Sequence, residues 1–278
     1  MAYRPFFLDG PAGPLFAIYH PPKDNTPNKG GVVYVPPFAE EMNQSRRMVA
    51  LQARRLAAAG VGVLLLDLYG TGDSGGDFSE ARWDGWLGDV AAALDWLRAE
   101  RGHPVALWGL RLGGLLALEA AAAHPGRVAR IILWQPVTKG RTMLNQFLRL
   151  RVAAGMGRGG EPETTESMRR ALAGGRAVEV AGYVLAPELA AAIDAAAIDG
   201  LTPPAGCRVD WLEVSPGADT ASAPATRRAA DAWRRKGADL RLLRVVGEPF
   251  WSLQSLYEPI LVPRLLDATA RLWTDAER

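Results

Sequence analysis

The chain has 278 residues, 49% of them hydrophobic and 22% charged, which suffices for one large α/β core or two small ones; we read one domain with an insertion. Lys and Arg total 32 against 30 Asp and Glu, leaving +2, and no basic run is interleaved with aromatics, so nucleic acid is excluded as a partner. Cys207 is the only cysteine, which rules out an internal disulfide or a thiolate metal cage and fits a reducing cytoplasm.

Phe6 to Tyr19 alternates as an antiparallel hairpin around the turn Gly10-Pro11-Ala12-Gly13, and His20-Pro21-Pro22 ends it. After a polar loop, Gly31 to Pro36 (GVVYVP) predicts a buried strand, followed by the loop Pro37-Phe38-Ala39-Glu40-Glu41-Met42-Asn43. Ser45 is a candidate cap for a helix from about Arg46 to Ala59, closed by Gly60. Val61 to Leu66 is a continuous apolar run, as in a parallel strand covered on both faces. It leads into Asp67-Leu68-Tyr69-Gly70-Thr71-Gly72-Asp73-Ser74, whose spacing is similar to the Asp-x-x-Gly-x-Gly-x-Ser loop of α/β hydrolases. Trp83 to Arg101 carries Trp86, Val90, Leu94 and Leu97 at helical spacing, and Pro104 to Trp108 is the next strand.

That strand meets Gly109-Leu110-Arg111-Leu112-Gly113 and passes into an Ala/Leu-rich helix, Leu115 to Ala123. A strand, a sharp turn with small residues two before and two after its centre, and a helix make a nucleophile elbow. The centre here is arginine, which is always charged, only donates, and is neither nucleophile nor base. Val128 to Trp134 is another buried strand, and residues 139–204 break the alternation with an amphipathic segment, Met143 to Val152, a Gly/Arg/Glu-rich loop and short helical pieces. In α/β hydrolases the insertion at this point is a helical lid, so residues 139–204 are expected to be one, with residues 1–138 and 205–278 as the core. Arg208 to Val214, a helix from about Pro224 to Lys236, the strand Asp239 to Val246 and a closing helix within Leu253 to Trp273 complete it. Such alternation implies an α/β-hydrolase fold, a doubly wound, mostly parallel sheet with right-handed crossovers.

In this fold the acid and the histidine follow the nucleophile in chain order. Asp219 occupies the acid's place, but the stretch after Val246, Gly247-Glu248-Pro249-Phe250-Trp251, has no histidine. The three histidines, His20, His103 and His124, fall in the first hairpin, at the amino end of a strand and at a helix terminus. No Ser-His-Asp triad is therefore expected, and Ser74, Ser215 and Cys207 stand beside no expected base. No His-x-x-x-His or carboxylate-histidine cluster occurs, so neither a metal nor another cofactor is expected. Met1 to Asp9 has no basic stretch followed by an apolar one, and no apolar run reaches about 18 residues, so the expectation is a cytoplasmic protein without a transmembrane segment.

A cation at a helix amino terminus opposes the helix dipole and calls for a negative partner. Two are open: an internal ion pair with Glu40 or Glu41, or a ligand carboxylate, phosphate or acidic sugar held by Arg111 with the Leu112 amide and the Phe38 loop around it. The candidate ligand-binding residues are Arg111, Leu112, Phe38, Asn43, Phe250 and Trp251, the last two as an aromatic wall suited to glycans or lipids. Glu40, Glu41 and Asp219 are the candidate catalytic carboxylates, since a buried glutamate can hold a water as general base.

The segment Pro37 to Met48 (PFAEEMNQSRRM), the elbow Gly109 to Gly113 and Gly247 to Trp251 together resemble the exosortase A system-associated hydrolase 2 family, across nearly the full chain. The resemblance implies an α/β-hydrolase-like protein encoded near the exosortase and exopolysaccharide machinery of Gram-negative bacteria, with protein partners there. It also implies a role in exopolysaccharide production or in handling proteins with a PEP-CTERM sorting tail. The sequence departs from the hydrolase pattern at both the serine and the histidine, leaving a binding scaffold and a carboxylate-based hydrolase as alternatives.

Overall fold

The computed structural model describes residues 3–102, 105–155, 163–217, 221–252 and 260–273. In chain order the elements are β1 (Arg4–Asp9), β2 (Pro14–His20), β3 (Gly31–Val35), α1 (Glu40–Ala58), β4 (Gly62–Leu66), α2 (Trp83–Arg101), β5 (Val105–Leu110), α3 (Leu112–Ala123) and β6 (Arg130–Trp134). There follow α4 (Gly140–Gly155), α5 (Thr165–Ala173), β7 (Val178–Val180), β8 (Tyr183–Leu185), α6 (Pro187–Ala195), β9 (Arg208–Ser215), α7 (Pro224–Arg235), β10 (Leu240–Val246) and α8 (Pro263–Arg271).

Eight strands form one sheet in the order β1-β2-β4-β3-β5-β6-β9-β10. β1, β2 and β4 pair antiparallel in succession, and every other neighbour is parallel. The central parallel strands β3, β4 and β5 are buried on both faces, as their unbroken apolar runs require. Alternate side chains still go to opposite layers: Val105 and Leu107 of β5 join the core under α2, α3 and α7, whereas Ala106 and Trp108 face α1 and α8. Helix α3 is largely apolar and buried over most of its length, packed against β3, β5, β6 and α2.

Strand order reverses between β3 and β5, which lie side by side with Val35 opposite Gly109. The loops leaving the carboxyl ends of these two strands therefore open onto one crevice, the place where this class of sheet binds ligands. The insertion between β6 and β9 comprises α4, α5, the β7–β8 hairpin and α6, and among the described residues it contributes no strand to the main sheet. The hairpin was not anticipated, because its strands are only three residues long and carry too little pattern to read.

One predicted boundary is corrected. Helix α1 begins at Glu40, not near Arg46, and Ser45 is not its cap but a buried residue of its second turn, its hydroxyl donating to the Met42 carbonyl at 3.1 Å. Glu40 and Glu41 fill the first turn, where acidic side chains complement the helix dipole and make a side-chain cap dispensable. The supposed loop shrinks to Pro36–Ala39 and both glutamates gain a fixed direction.

At the amino end of the sheet Asp210 of β9 is fully buried between two arginines, Arg130 Nε at 3.2 Å and Arg241 Nε at 2.8 Å.

Candidate site at the strand-to-helix elbow

Arg111 joins β5 to α3 with φ 55° and ψ −117°, a left-handed conformation that a non-glycine side chain adopts only when its surroundings enforce it. Here they do. The Arg111 amide donates to the Trp134 carbonyl at 3.0 Å, and its own carbonyl accepts from Gly114 at 3.0 Å and Val137 at 3.1 Å. The flanking glycines are steric necessities. A Cβ on Gly113 would sit 2.4 Å from the carbonyl oxygens of both Val35 and Pro36, and one on Gly109 would sit 2.4 Å from the Gly113 oxygen. Across the crevice Ala39, ahead of α1, has nearly the same strained backbone, φ 51° and ψ −127°.

These two turns bring Arg111 and Glu41 together. Arg111 Nε donates to Glu41 Oε1 at 3.1 Å, each side chain being 15% exposed. The Arg111 guanidinium carbon also lies 5.3 Å from the Trp251 ring centre, a cation–π contact that covers one face. Neither Nη group makes a hydrogen bond among the described residues. Glu41 Oε2 is enclosed and has no hydrogen-bond partner. Burial pushes the Glu41 carboxyl above the usual range, with Arg111 pulling the other way.

Glu40, one residue earlier, does something different. Its Oε1 accepts from Gln44 at 3.3 Å, and its Oε2 accepts from Asn43 and from the Tyr183 hydroxyl of β8, both at 3.3 Å. It ties the insertion to the core and does not reach Arg111. Aromatic contacts reinforce this seam: Phe38 lies 4.9 Å from Phe147 of α4, and Phe78 lies 5.0 Å from Tyr183.

Above Arg111 is a cavity of about 610 Å3, a usual size for a small-molecule site. Phe38, Met143, Phe147, Leu150 and Trp251 give it apolar walls, and Arg111, Glu40, Glu41, Gln44, Gln146 and Ser252 its polar groups.

Of the residues singled out from sequence, Arg111, Phe38, Glu40, Glu41 and Trp251 thus line one cavity. Phe250 does not: the expectation of a wall residue is corrected, since it is 2% exposed and packs edge-on against Trp134 in the core. Asn43 is on the exposed side of α1, bonded to Glu40 and to Tyr183. Leu112 is buried as the first residue of α3. Asp219 lies outside the described residues, as does His103. His20 pairs with Val63 at the amino end of β4, the edge away from Arg111. His124 caps the far end of α3, its Nδ1 3.0 Å from the Ala120 carbonyl, and the 12 residues of that helix place it about 18 Å from the elbow. Ser74 is a turn residue, donating to the Asp67 carbonyl at 2.6 Å and accepting from the Phe16 amide at 2.8 Å. Ser215 donates to the Gly217 carbonyl at 2.9 Å, and Cys207 is buried.

The wall residues Met143, Phe147 and Leu150, with Gln146 among them, were not foreseen individually, although the amphipathic stretch that carries them was. Tyr183 gave no usable signal, because its role depends on a hairpin folding back over α1. Among the described residues, no cluster of His, Cys, Asp or Glu has the makings of a metal site, and no helix is long and apolar enough to cross a membrane.

Comparison with known proteins agrees with this fold. Residues 26–159 match the sequence model of the family described as Serine aminopeptidase, S33. The rat (Rattus norvegicus) palmitoyl-protein thioesterase ABHD10, mitochondrial, is 33% identical over 141 residues, 51% of this chain and 44% of that protein. The chain thus matches a little under half the length of that relative. Among solved structures, Est1E from Butyrivibrio proteoclasticus has a TM-score of 0.64 at 16% identity, covering 98% of both chains. Mouse alpha/beta hydrolase domain-containing protein 10 has a TM-score of 0.59 at 16% identity, covering 98% of this chain and 99% of that one. The chain therefore has the α/β-hydrolase fold, and the part that matches the hydrolase family sequence model is the one running from before β3 through the elbow into the insertion.

Proposed function

We propose that this protein is a ligand-binding member of the α/β-hydrolase fold, acting in the cytoplasm within an exosortase-linked exopolysaccharide system, in which Arg111 holds an acidic ligand and no Ser-His-Asp chemistry takes place. The observation that carries this reading is the guanidinium on the elbow: its Nη groups have no hydrogen-bond acceptor among the described residues, and it lines a cavity of about 610 Å3. An arginine fork matches a carboxylate or phosphate in two parallel hydrogen bonds. The residues 139–204 serve as the lid, since α4 supplies much of the cavity wall.

The rat relative is named a palmitoyl-protein thioesterase, and acyl transfer of that kind through an elbow needs a nucleophile with a base beside it. The second reading, hydrolysis by a glutamate-held water, draws support from the raised Glu41 carboxyl. Against it, Glu41 has one oxygen on Arg111 and the other enclosed, and both Glu40 oxygens accept from neighbouring side chains.

A fluorophosphonate probe tests the proposal: no serine becomes labelled, and labelling of any serine overturns it. Arg111→Ser, with no histidine supplied, remains inactive on activated esters; measurable turnover reveals a base that this reading lacks.

A further inference from the structure

The two halves of the cavity differ in chemistry. Its floor has a guanidinium whose Nη groups carry no hydrogen bond among the described residues, and its walls are Phe38, Met143, Phe147, Leu150 and Trp251. Leu150 is a large apolar side chain left 48% exposed. An acidic sugar would satisfy the floor and leave these walls facing hydroxyl groups. An acid with a hydrocarbon chain satisfies both, and burying its chain strengthens binding about fourfold per methylene.

Glu41 adds a constraint, because it already neutralises Arg111. A second carboxylate on the same guanidinium would leave two anions sharing one cation in a mostly enclosed site. Glu41 is poorly placed to remain the charged one, since Oε2 is enclosed without a donor.

We propose that the elbow cavity takes an amphiphilic carboxylic acid, its carboxylate on the Nη edge of Arg111 and its chain along Phe38, Met143, Phe147, Leu150 and Trp251, with Glu41 gaining one proton as the acid binds. This rests on the anion site proposed above and adds the ligand class. The proton comes from solvent and no covalent bond is made or broken. Among the described residues, the charged and titratable groups around Glu41 are Arg111 from the elbow, Tyr34 from β3 and Glu40 on its own helix, with the Arg46–Asp67 pair beyond Tyr34 and Tyr183 of the hairpin on Glu40. Helix α4 contributes no titratable side chain to the lining, and the loop after β10 contributes Trp251 and Ser252. Burial pushes the Tyr34 and Tyr183 phenols up, away from the range in which Glu41 titrates.

The test is calorimetric titration of the full chain with dodecanoate from pH 5 to 8, in two buffers of different ionisation enthalpy, alongside galacturonate and acetyl phosphate. Dodecanoate binds with uptake of one proton, its affinity falling about tenfold per pH unit above the Glu41 pKa. Glu41→Gln removes the proton uptake and flattens the profile. Leu150→Gln, a change at a half-exposed position that leaves folding intact, weakens dodecanoate about fivefold and acetyl phosphate not at all. Dodecanoate bound without proton uptake overturns the Glu41 coupling. Galacturonate or acetyl phosphate bound more tightly than dodecanoate overturns the hydrocarbon class while leaving the Arg111 anion site standing. Dodecanoate bound equally well by a folded Arg111→Gln variant, or no acid bound at any pH, overturns the anion site itself.

Discussion

Asp89 offers a prediction that can be worked through quantitatively. It lies on α2 with no solvent exposure, its Oδ2 accepts from the Tyr69 amide at 2.8 Å, and its Oδ1 has no partner. Burial pushes its pKa from 3.8 to about 6, the Tyr69 hydrogen bond opposing the rise. Between those two values the folded chain binds more protons than the unfolded chain, so stability falls as pH rises across that window and is lowest above pH 6. At 1.36 kcal/mol per pH unit the cost of ionising Asp89 in place is about 3 kcal/mol. Asp89→Asn still accepts from Tyr69 and carries no charge at any pH. Its amide NH2 takes the place of the unpartnered Oδ1, and whatever that exchange costs does not vary with pH. Urea denaturation of both proteins from pH 3.5 to 8 isolates the effect in the difference of their stabilities, because every other titrating group cancels. That difference should move by about 3 kcal/mol in favour of the variant, with most of the change between pH 4 and 6. Parallel curves would refute the reasoning, showing that Asp89 titrates alike in the folded and unfolded chains.

Three further outcomes follow from the geometry. Gly113→Ala places a methyl 2.4 Å from two backbone carbonyls and lowers stability by about 3 kcal/mol, read by thermal or urea unfolding; a change under 1 kcal/mol would mean that β3 and the elbow separate easily. Asp210→Asn leaves Arg130 and Arg241 without their buried counter-ion and costs about 3 kcal/mol, the low end of such losses because Arg241 reaches solvent. Tyr183→Phe removes the hydroxyl that bridges Glu40 and Asn43, a loss of about 1 kcal/mol that speeds proteolysis within residues 139–204 about fivefold; an unchanged rate would show that this contact does not hold the insertion down.

Much of the site could be read before the fold was known. Gly109 and Gly113 around Arg111 announced a strained strand-to-helix turn; a Cβ on Gly113 would meet the Val35 and Pro36 carbonyls, and one on Gly109 the Gly113 backbone. The missing histidine after Val246 pointed to a different wall, and Trp251 stands over Arg111 there. The choice between Glu40 and Glu41 was not legible. Successive helix residues point about 100° apart, so one faces the elbow and the other the insertion, and which is which depends on where α1 starts. Placing that start near Arg46 put both glutamates in a loop and hid the distinction. Phe250 and Trp251 were likewise inseparable as a dipeptide, one directed into the core against Trp134 and the other over the guanidinium.

By itself the sequence determined the alternation of strand and helix, the position of the elbow and the chemical identity of the group on it, because hydrophobic period, glycine placement and side-chain charge are local properties of the chain. Only the tertiary structure decided that Arg111 meets Glu41, that Glu40 serves the insertion, and that α4 closes an apolar cavity above them. Those outcomes depend on β3 and β5 lying side by side at the point where strand order reverses, and on an insertion folding back over them, which are contacts between residues far apart in the chain.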